Sequence, residues 1–544
     1  MSTIKDGLLA ELDRRVTDKI LEPTNAELLK KLIKDANSDN EAMMIAELGT
    51  TYKRTGLHFD KRLEKMTNDI RYFKKNKKLS FHTDDSKPTH KLIIGDNYEA
   101  LQNLLIQYKG MIDVIYIDPP YGKDSMGEFA QTNYENAITR DNLLSMLYPR
   151  LMLAKMLLSD NGVIFCSIDD KNQAYVKCLF DEVFGEKNFI STSIIMNNRG
   201  GRDYGGIAIQ HEYLLIFSKN IYEYELNPIE DPDRQFQYTD EKGGFNLMEL
   251  RNRNVKFNNR NRPNLFYPFF LNPNKQDSNG LFAIALEESE AFNVKVLPAI
   301  SQGIQTVWRW GKEEKSRENL NKEIFGKANQ NGGYMIVQKY RKTTKMQRSI
   351  WDEKEFVNER GTEAVKDIIG KGIFDYPKSV SLLKRIVELS SKNDSIILDF
   401  FAGSGSLGHA VLDINRNEAK EGNLIEEAIS EGNRSFILCQ LNEITDTTPQ
   451  GIAYDVTAKR LKRIMTGECY DGTKDFEWIK KNKPYGGNLD VYEIASVANF
   501  ETTKNKTPFD VIDETLYGKK KFTTLQEKIE WVCGNFSNAQ KTME

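Results

Sequence analysis

Met111-Ile112-Asp113-Val114-Ile115-Tyr116-Ile117-Asp118-Pro119-Pro120-Tyr121 divides into an apolar run and a short acidic-aromatic loop. The run predicts a buried strand, near-continuous in hydrophobicity as strands covered on both faces are. The loop then stands at the strand's carboxyl end, where open α/β sheets carry out their chemistry. Asp118 and a backbone carbonyl free of helix bonding accept hydrogen bonds from an amino group, while the face of Tyr121 stacks on a planar ring. That combination suits the amine of a nucleobase. Pro119 and Pro120 fix φ, so the acceptors are held ready rather than recruited. The competing account is an ordinary strand-end turn with a chance Asp-Pro, and four residues alone do not decide between them.

A second strand-loop unit lies far downstream. Ser395-Ile396-Ile397-Leu398-Asp399 predicts a buried strand, Phe400-Phe401-Ala402-Gly403-Ser404-Gly405-Ser406 a tight turn, and Leu407 to Asn415 a helix. Gly403 and Gly405 permit a sharp turn and close approach of a ligand, and the new helix presents unpaired N–H groups. A Gly-x-Gly pair is weak evidence, and Gly408 keeps a dinucleotide-oxidoreductase reading open. Asp399 and the wide turn suit the cationic amino-acid end of a ligand better than a pyrophosphate.

Together the two loops resemble the signature motifs of DNA amino-methyltransferases. The resemblance implies that Asp118, Pro119, Pro120 and Tyr121 hold the target amine and that the glycine loop holds S-adenosylmethionine. The catalytic loop precedes the cofactor loop, which is the circularly permuted order of the family's β group. The fold implied is a Rossmann-like α/β methyltransferase. Lys91 to Asn97 looks like the strand and acidic turn that meet the cofactor's adenine, through Asp96 and Asn97, with a helix over Tyr98 to Gln107. Phe374-Asp375-Tyr376-Pro377-Lys378-Ser379 opens a helix over Val380 to Ser390 and corresponds to the methionine end, through Phe374, Pro377 and Lys378; its bland alternative is a plain helix start with a core phenylalanine. The remaining cofactor contacts implied are Asp399, Phe400, Ala402, Gly403, Gly405 and Ser406. Relatives carry an acidic residue for the ribose after the next strand, Arg434 to Leu441; here Gln440 takes that place, with Asn442 and Glu443 following.

Asn133-Tyr134-Glu135-Asn136, Arg140 to Leu144 and Ser167-Ile168-Asp169-Asp170 extend the likeness to the modification subunits of type III restriction-modification systems. A long helix is expected from Asp141 through Leu158, ended by Asn161-Gly162, then a strand Val163 to Ile168 and a helix capped by Asp169-Asp170. His211 to Lys219 reads as a further strand, and the glycine-rich Asn197 to Gly206 before it as a lid.

The stretch 221–352 breaks this alternation and predicts an inserted target-recognition domain. Arg251, Arg253, Lys256, Arg260 and Arg262 alternate with asparagines and precede Phe266-Tyr267-Pro268-Phe269-Phe270; Lys339, Arg341, Lys342 and Lys345 form a second cluster. Such side chains read base edges or neutralise phosphates, against the alternative of a solvated charged face. The full division expected is a helical N-terminal region 1–90 ending in the Lys74 to Lys78 linker, catalytic part 91–220, insert 221–352, cofactor part 353–466 and C-terminal segment 467–544.

Composition sets limits only. With 544 residues, net charge -3 and 28% charged residues, any nucleic-acid surface must come from local clustering. No signal peptide or run of 18 apolar residues occurs, so a cytoplasmic, non-membrane protein is expected. Five cysteines and five histidines are scattered, which supports neither disulfides nor a metal site. No phosphate-binding Gly-x-x-x-x-Gly-Lys-Ser/Thr appears. The family likeness therefore implies double-stranded DNA as substrate, a separate translocase-nuclease restriction subunit and a homodimer, with the N-terminal helices and Leu143 to Leu158 as candidate self-association surfaces. Alternatives left standing are a solitary or phage-type regulatory adenine methyltransferase and a non-catalytic DNA-binding subunit.

Overall fold

Apolar runs that end in glycine or proline become the strands of a mixed eleven-stranded sheet. The computed structural model describes residues 3–17, 21, 23–48, 69–121, 140–201, 206–422, 432–498 and 507–541. Across the sheet the order is Asp69–Lys75, Asn488–Ala498, Thr89–Ile94, Ser435–Gln440, Ile396–Asp399, Ile112–Ile117, Leu158–Ile168, His211–Ser218, Phe189–Met196 and Ile350–Trp351. The strands from Asn488–Ala498 through Leu158–Ile168 are parallel, and His211–Ser218 runs against both its neighbours. The helices Asn97–Tyr108, Arg140–Leu157, Gln173–Phe184, Val380–Ser390 and Ser406–Gly422 connect and cover them. This is the α/β architecture expected.

Topology decides where chemistry can happen. Ile112–Ile117 and Ile396–Asp399 are adjacent and parallel, with Leu398 opposite Ile115 and Asp399 opposite Tyr116. From Ile112–Ile117 the chain proceeds to Leu158–Ile168 on one side, and from Ile396–Asp399 to Ser435–Gln440 on the other. The crevice beyond their carboxyl ends is the switch point at which doubly wound sheets bind ligands. Because His211–Ser218 is antiparallel, its first residues also lie at this end, Tyr213 opposite Ile168.

Several boundaries differ from expectation. The region 69–82 is two strands joined by a turn, not helix or linker: Asp69–Lys75 pairs along its whole length with Asn488–Ala498, and Phe81–His82 pairs with it too. Its lysines are the charged side chains of an edge strand, whose polarity resembles that of a linker. The C-terminal segment thus supplies a sheet strand, and it also supplies Tyr517, whose hydroxyl accepts from Phe73 N and donates to Asn103. Leu158 to Gly162 belongs to the strand Leu158–Ile168 rather than to a helix end. Asp169 does not cap the next helix itself; Asn172 is the N-cap residue, and Asp169 accepts from both its backbone and its side chain. The expected catalytic and cofactor parts form one unit with both terminal segments, 1–226 and 348–544. In it, Leu143, Leu144, Leu147, Leu151 and Leu157 are buried in the main core, which removes that helix as a self-association surface. The three N-terminal helices share a separate small core around Leu12, Ile33 and Ala42.

The insert is a second unit, Asn227–Gln347, slightly shorter than expected. It has its own antiparallel seven-stranded sheet, packed about Tyr267, Phe269, Leu271, Trp308 and Ile336. The aromatic run that follows the first basic cluster is therefore interior packing. The five cysteines are free, and no metal-binding group of side chains occurs among the described residues. Among them, too, no helix is long and apolar enough to cross a membrane.

Candidate active site

The loop after Ile112–Ile117 delivers Asp118 into a chain of contacts reaching two other elements. Asp118 Oδ1 accepts from the Tyr121 hydroxyl at 2.8 Å and lies 3.3 Å from Lys378 Nζ. Lys378 comes from the turn before Val380–Ser390 and donates to Glu212 Oε2 at 2.6 Å and to the Tyr121 hydroxyl at 3.3 Å. Glu212, on the antiparallel strand, also accepts from Asn197 Nδ2 at 2.9 Å. Burial raises the Asp118 carboxyl above the usual carboxylate range; Lys378 opposes this and Glu212 adds to it. Burial alone would favour the neutral amine of Lys378, but Asp118 and Glu212 hold it protonated, its pKa pushed up to about 12. Burial, then Asp118, keeps the Tyr121 hydroxyl protonated and therefore a donor. With Oδ1 engaged, Oδ2 of Asp118 has no partner among the described residues and is the oxygen left for an incoming amine.

Lys378, expected at the cofactor, directs its ammonium into this carboxylate pair instead. Close packing brings it there: Gly361 in the helix Asn358–Ile368 faces Pro377, and a Cβ on it would lie 2.1 Å from the Pro377 carbonyl oxygen. Only glycine allows that approach. No sequence motif points to Glu212, although it carries a signal: one acid within an apolar strand predicts a paired buried charge.

One strand over, the glycine loop is held in a fixed, closely packed turn. Gly403 has φ +51°, and a Cβ there would meet the Phe374 ring at 3.3 Å. Thr457 donates to Gly403 O at 2.6 Å, and Gln440 Oε1 accepts from Gly403 N at 2.6 Å while its Nε2 donates to Leu441 O. Gln440 is thus occupied in fixing the loop rather than free for ribose. The Glu443 carboxyl has no side-chain partner among the described residues, and burial pushes it up to about 7. Ser406 is also turned away, its hydroxyl buried against Arg460 at 2.9 Å together with Ser404. The Phe400 ring is core, and Ala402 N donates to Cys439 O.

Asp399 is buried, accepts from Phe401 N at 2.9 Å and faces no cation among the described residues; burial pushes its pKa up to about 8. A carboxyl in this condition, beside the glycine turn, fits a ligand that brings its own positive charge. Asp96 caps Asn97–Tyr108 through Tyr98 N and is held by Arg150 at 3.2 Å. Asn97 accepts from Arg150 Nε and donates to Phe400 O at 2.8 Å, so it ties the two strand-end loops together instead of facing a ligand. Nothing in the motifs points to Arg150.

In the insert, most of the expected DNA-binding cations are already spent. Arg251 and Arg253 pair with Glu249, Lys345 with Asp231, and Lys339 and Arg341 with Asp240, Arg341 also reaching Glu323. Lys256, Arg260 and Lys342 are exposed with no ion pair among the described residues, and exposed Arg262 lies over the Phe257 ring. The central part of the expected lid, 202–205, and the stretch Asn133 to Asn136 lie outside the described residues.

The profile of the DNA methylase family matches residues 112–445, from the strand Ile112–Ile117 to just past Ser435–Gln440. A second profile, of an uncharacterised conserved protein, matches residues 9–114. The chain is similar to the type II methyltransferase M.KpnI of Klebsiella pneumoniae, 32% identical over 407 residues covering 72% of this chain and 89% of that protein. It is also similar to the type III restriction-modification enzyme EcoPI Mod subunit of Escherichia phage P1, 28% identical over 428 residues, 70% of this chain and 63% of the subunit. The StyLTI Mod subunit of Salmonella typhimurium is 28% identical over 416 residues, 70% of this chain and 58% of the subunit.

Proposed function

The chain belongs to the DNA methylase family, and on that premise we propose that it transfers a methyl group from S-adenosylmethionine to the exocyclic amine of adenine in double-stranded DNA, as the modification and recognition subunit of a type III restriction-modification system. The observation that carries this is the adjacency of Ile112–Ile117 and Ile396–Asp399, which sets an amine-accepting loop beside a glycine loop at the carboxyl ends of two neighbouring parallel strands.

S-adenosylmethionine supplies an electrophilic methyl group on a sulfonium. Gly403, Gly405, Phe374 and Asp399 would hold its cationic end, Asp96 would face its adenine, and Glu443 would take the ribose hydroxyls. On the other side of the crevice, Asp118 Oδ2 and the Pro119 carbonyl accept the two hydrogens of the target amine, which localises the nitrogen lone pair toward the methyl. Forming the N–C bond would break the methyl–sulfur bond, whose electron pair stays on the departing thioether sulfur, and Asp118 would take the proton the nitrogen must lose. The base reaches this loop only if flipped from the duplex, at a cost of a few kcal/mol that stacking on Tyr121 partly offsets. Lys256, Arg260, Arg262 and Lys342 are the insert side chains available to phosphates or base edges.

Self-association as a homodimer is supported by Leu28 and Leu32, one turn apart and exposed on Pro23–Asp35, with Met43 and Met44 exposed on the next helix. The sequence carries no phosphate-binding Gly-x-x-x-x-Gly-Lys-Ser/Thr loop, which supports a reading in which cleavage falls to a separate translocase-nuclease subunit and the two work in the cytoplasm. The 89% coverage of M.KpnI favours a second reading, a methyltransferase that works without such a partner. Incubation of the full chain with tritiated donor and duplex DNA, followed by nucleoside analysis, should yield N6-methyladenine; label in a cytosine would overturn the reading. Light scattering across the micromolar range should give a dimer mass, and a monomer would favour the partnerless enzyme.

A further inference from the structure

Glu212 is a buried acid that the reaction as written does not use. Its residue is 3% exposed, its Oε2 takes Lys378 and Asn197, and its Oε1 is buried without a hydrogen-bond partner. An unsatisfied buried carboxylate oxygen is costly, and an acid serving packing alone would be replaced without loss by an apolar residue. The Lys378 ammonium stands between this carboxylate and Asp118, 2.6 Å from one and 3.3 Å from the other.

We propose that Glu212 and Lys378 are positioning residues for Asp118: Glu212 anchors the ammonium, and the ammonium holds the Oδ1 edge of Asp118 so that Oδ2 faces the target amine in ionised form. The inference rests on the methyl-transfer reading above. The arrangement also limits how strongly the lysine acts. Shared between two acids, it supports the charge of Asp118 without neutralising its capacity to accept a proton. Among the described residues, the titratable groups facing Asp118 are Lys378, Glu212 on its antiparallel strand, Tyr121 and Tyr116 on either side in the chain, Cys166 on Leu158–Ile168 and Asp399 on the neighbouring strand. Of these only Lys378 is a cation, so its loss and the loss of Glu212 must move Asp118 in opposite senses.

The test is the pH dependence of single-turnover methyl transfer at saturating cofactor and DNA. Lys378→Met should move the acid limb to higher pH by about one unit or more, since Asp118 then ionises beside Glu212 without a counter-charge. Glu212→Gln should move it to lower pH, because the ammonium then leans wholly on Asp118, and should lower the plateau rate as the acceptor weakens. Lys378→Arg should return the limb toward the native position. Cofactor affinity by calorimetry should be unchanged in each. Acid limbs that stay in place, or shift in the same direction, would overturn the proposal. Either substitution alone fixes a sign, so failure of one to fold leaves the other decisive. Product analysis on the native chain separates the two failures, because absence of N6-methyladenine there removes the reaction itself.

Discussion

Two clusters of the same side-chain types sit in the two units and are put to different use. Around Asp118, one lysine is shared by two carboxylates in a site where Lys378 and Glu212 are almost wholly buried. Around Asp240, Lys339 and Arg341 converge on one carboxylate whose side chain is a quarter exposed, and Glu323 takes Arg341 together with Lys242. The first cluster carries an excess of buried negative charge, which is tolerated only where something positive is to arrive or a proton is to be taken. The second, in which Lys242 adds a further cation on Glu323, carries no excess of negative charge and is partly open to solvent, as a strand-to-strand fastener is. Stoichiometry and burial, not residue type, separate a working group of charges from a structural one.

Substitution of the two aspartates puts that difference to its severest test. Asp118→Ala should lower the single-turnover rate by roughly 1000-fold with cofactor affinity retained. Asp240→Ala should leave that rate unchanged on DNA supplied in excess and lower the unfolding temperature of the insert instead. Methyl incorporation at near-native rate in Asp118→Ala would remove the distinction.

A smaller effect is expected at the cofactor side. Gly403→Val places a branched side chain at φ +51° and against Phe374. Calorimetry should show affinity for S-adenosylmethionine reduced on the order of 30-fold, about 2 kcal/mol, with the fold retained.

Asp399 sharpens the contrast through pH. Its carboxyl is raised to about 8, so at neutral pH it is mostly protonated in the free protein. A cationic ligand favours the ionised form; binding therefore releases a proton, and affinity should strengthen with rising pH, by up to ~10-fold per unit, then level off above about 8. In Asp399→Asn the affinity should be flat over that range. A slope of the opposite sign would show that the carboxyl does not meet the cation.

The insert gives the smallest effect. Alanine at Lys256, Arg260, Arg262 or Lys342 should each lower the log-log salt slope of DNA binding by about one for every phosphate no longer neutralised. Arg341→Ala, whose cation is held by Asp240 and Glu323, should leave the slope unchanged. Equal slopes for both sets would erase the distinction between free and fastened cations.

The sheet centre and both loops are legible in the sequence because buried parallel strands are apolar runs and their loops need glycine or proline. Lys378 is legible as a site residue, but the aim of its side chain depends on Gly361 and Glu212, remote in sequence. Gln440 and Ser406 look like ligand contacts because a residue's place in a motif does not reveal whether backbone or another side chain claims it first. The edge strand Asp69–Lys75 escapes a reading from sequence because its lysines resemble a solvated linker and its partner lies at the other end of the chain. Likewise the cations of the insert look available until Glu249, Asp240, Glu323 and Asp231 fold against them.

The pairing of Ile112–Ile117 with Ile396–Asp399 also governs when the protein comes into being on the ribosome. The catalytic strand finds Leu158–Ile168 early, but its other neighbour emerges only after the entire insert has been made. The insert, with its own sheet and core, has all it needs to fold in that interval, while one edge of the catalytic strand stands bare. The crevice does not exist until Asp399 and the loop after it have been synthesised, and the outer strand Asn488–Ala498 follows later still. A chain interrupted between the end of the insert and Asp399 holds a complete second unit and only one wall of the crevice.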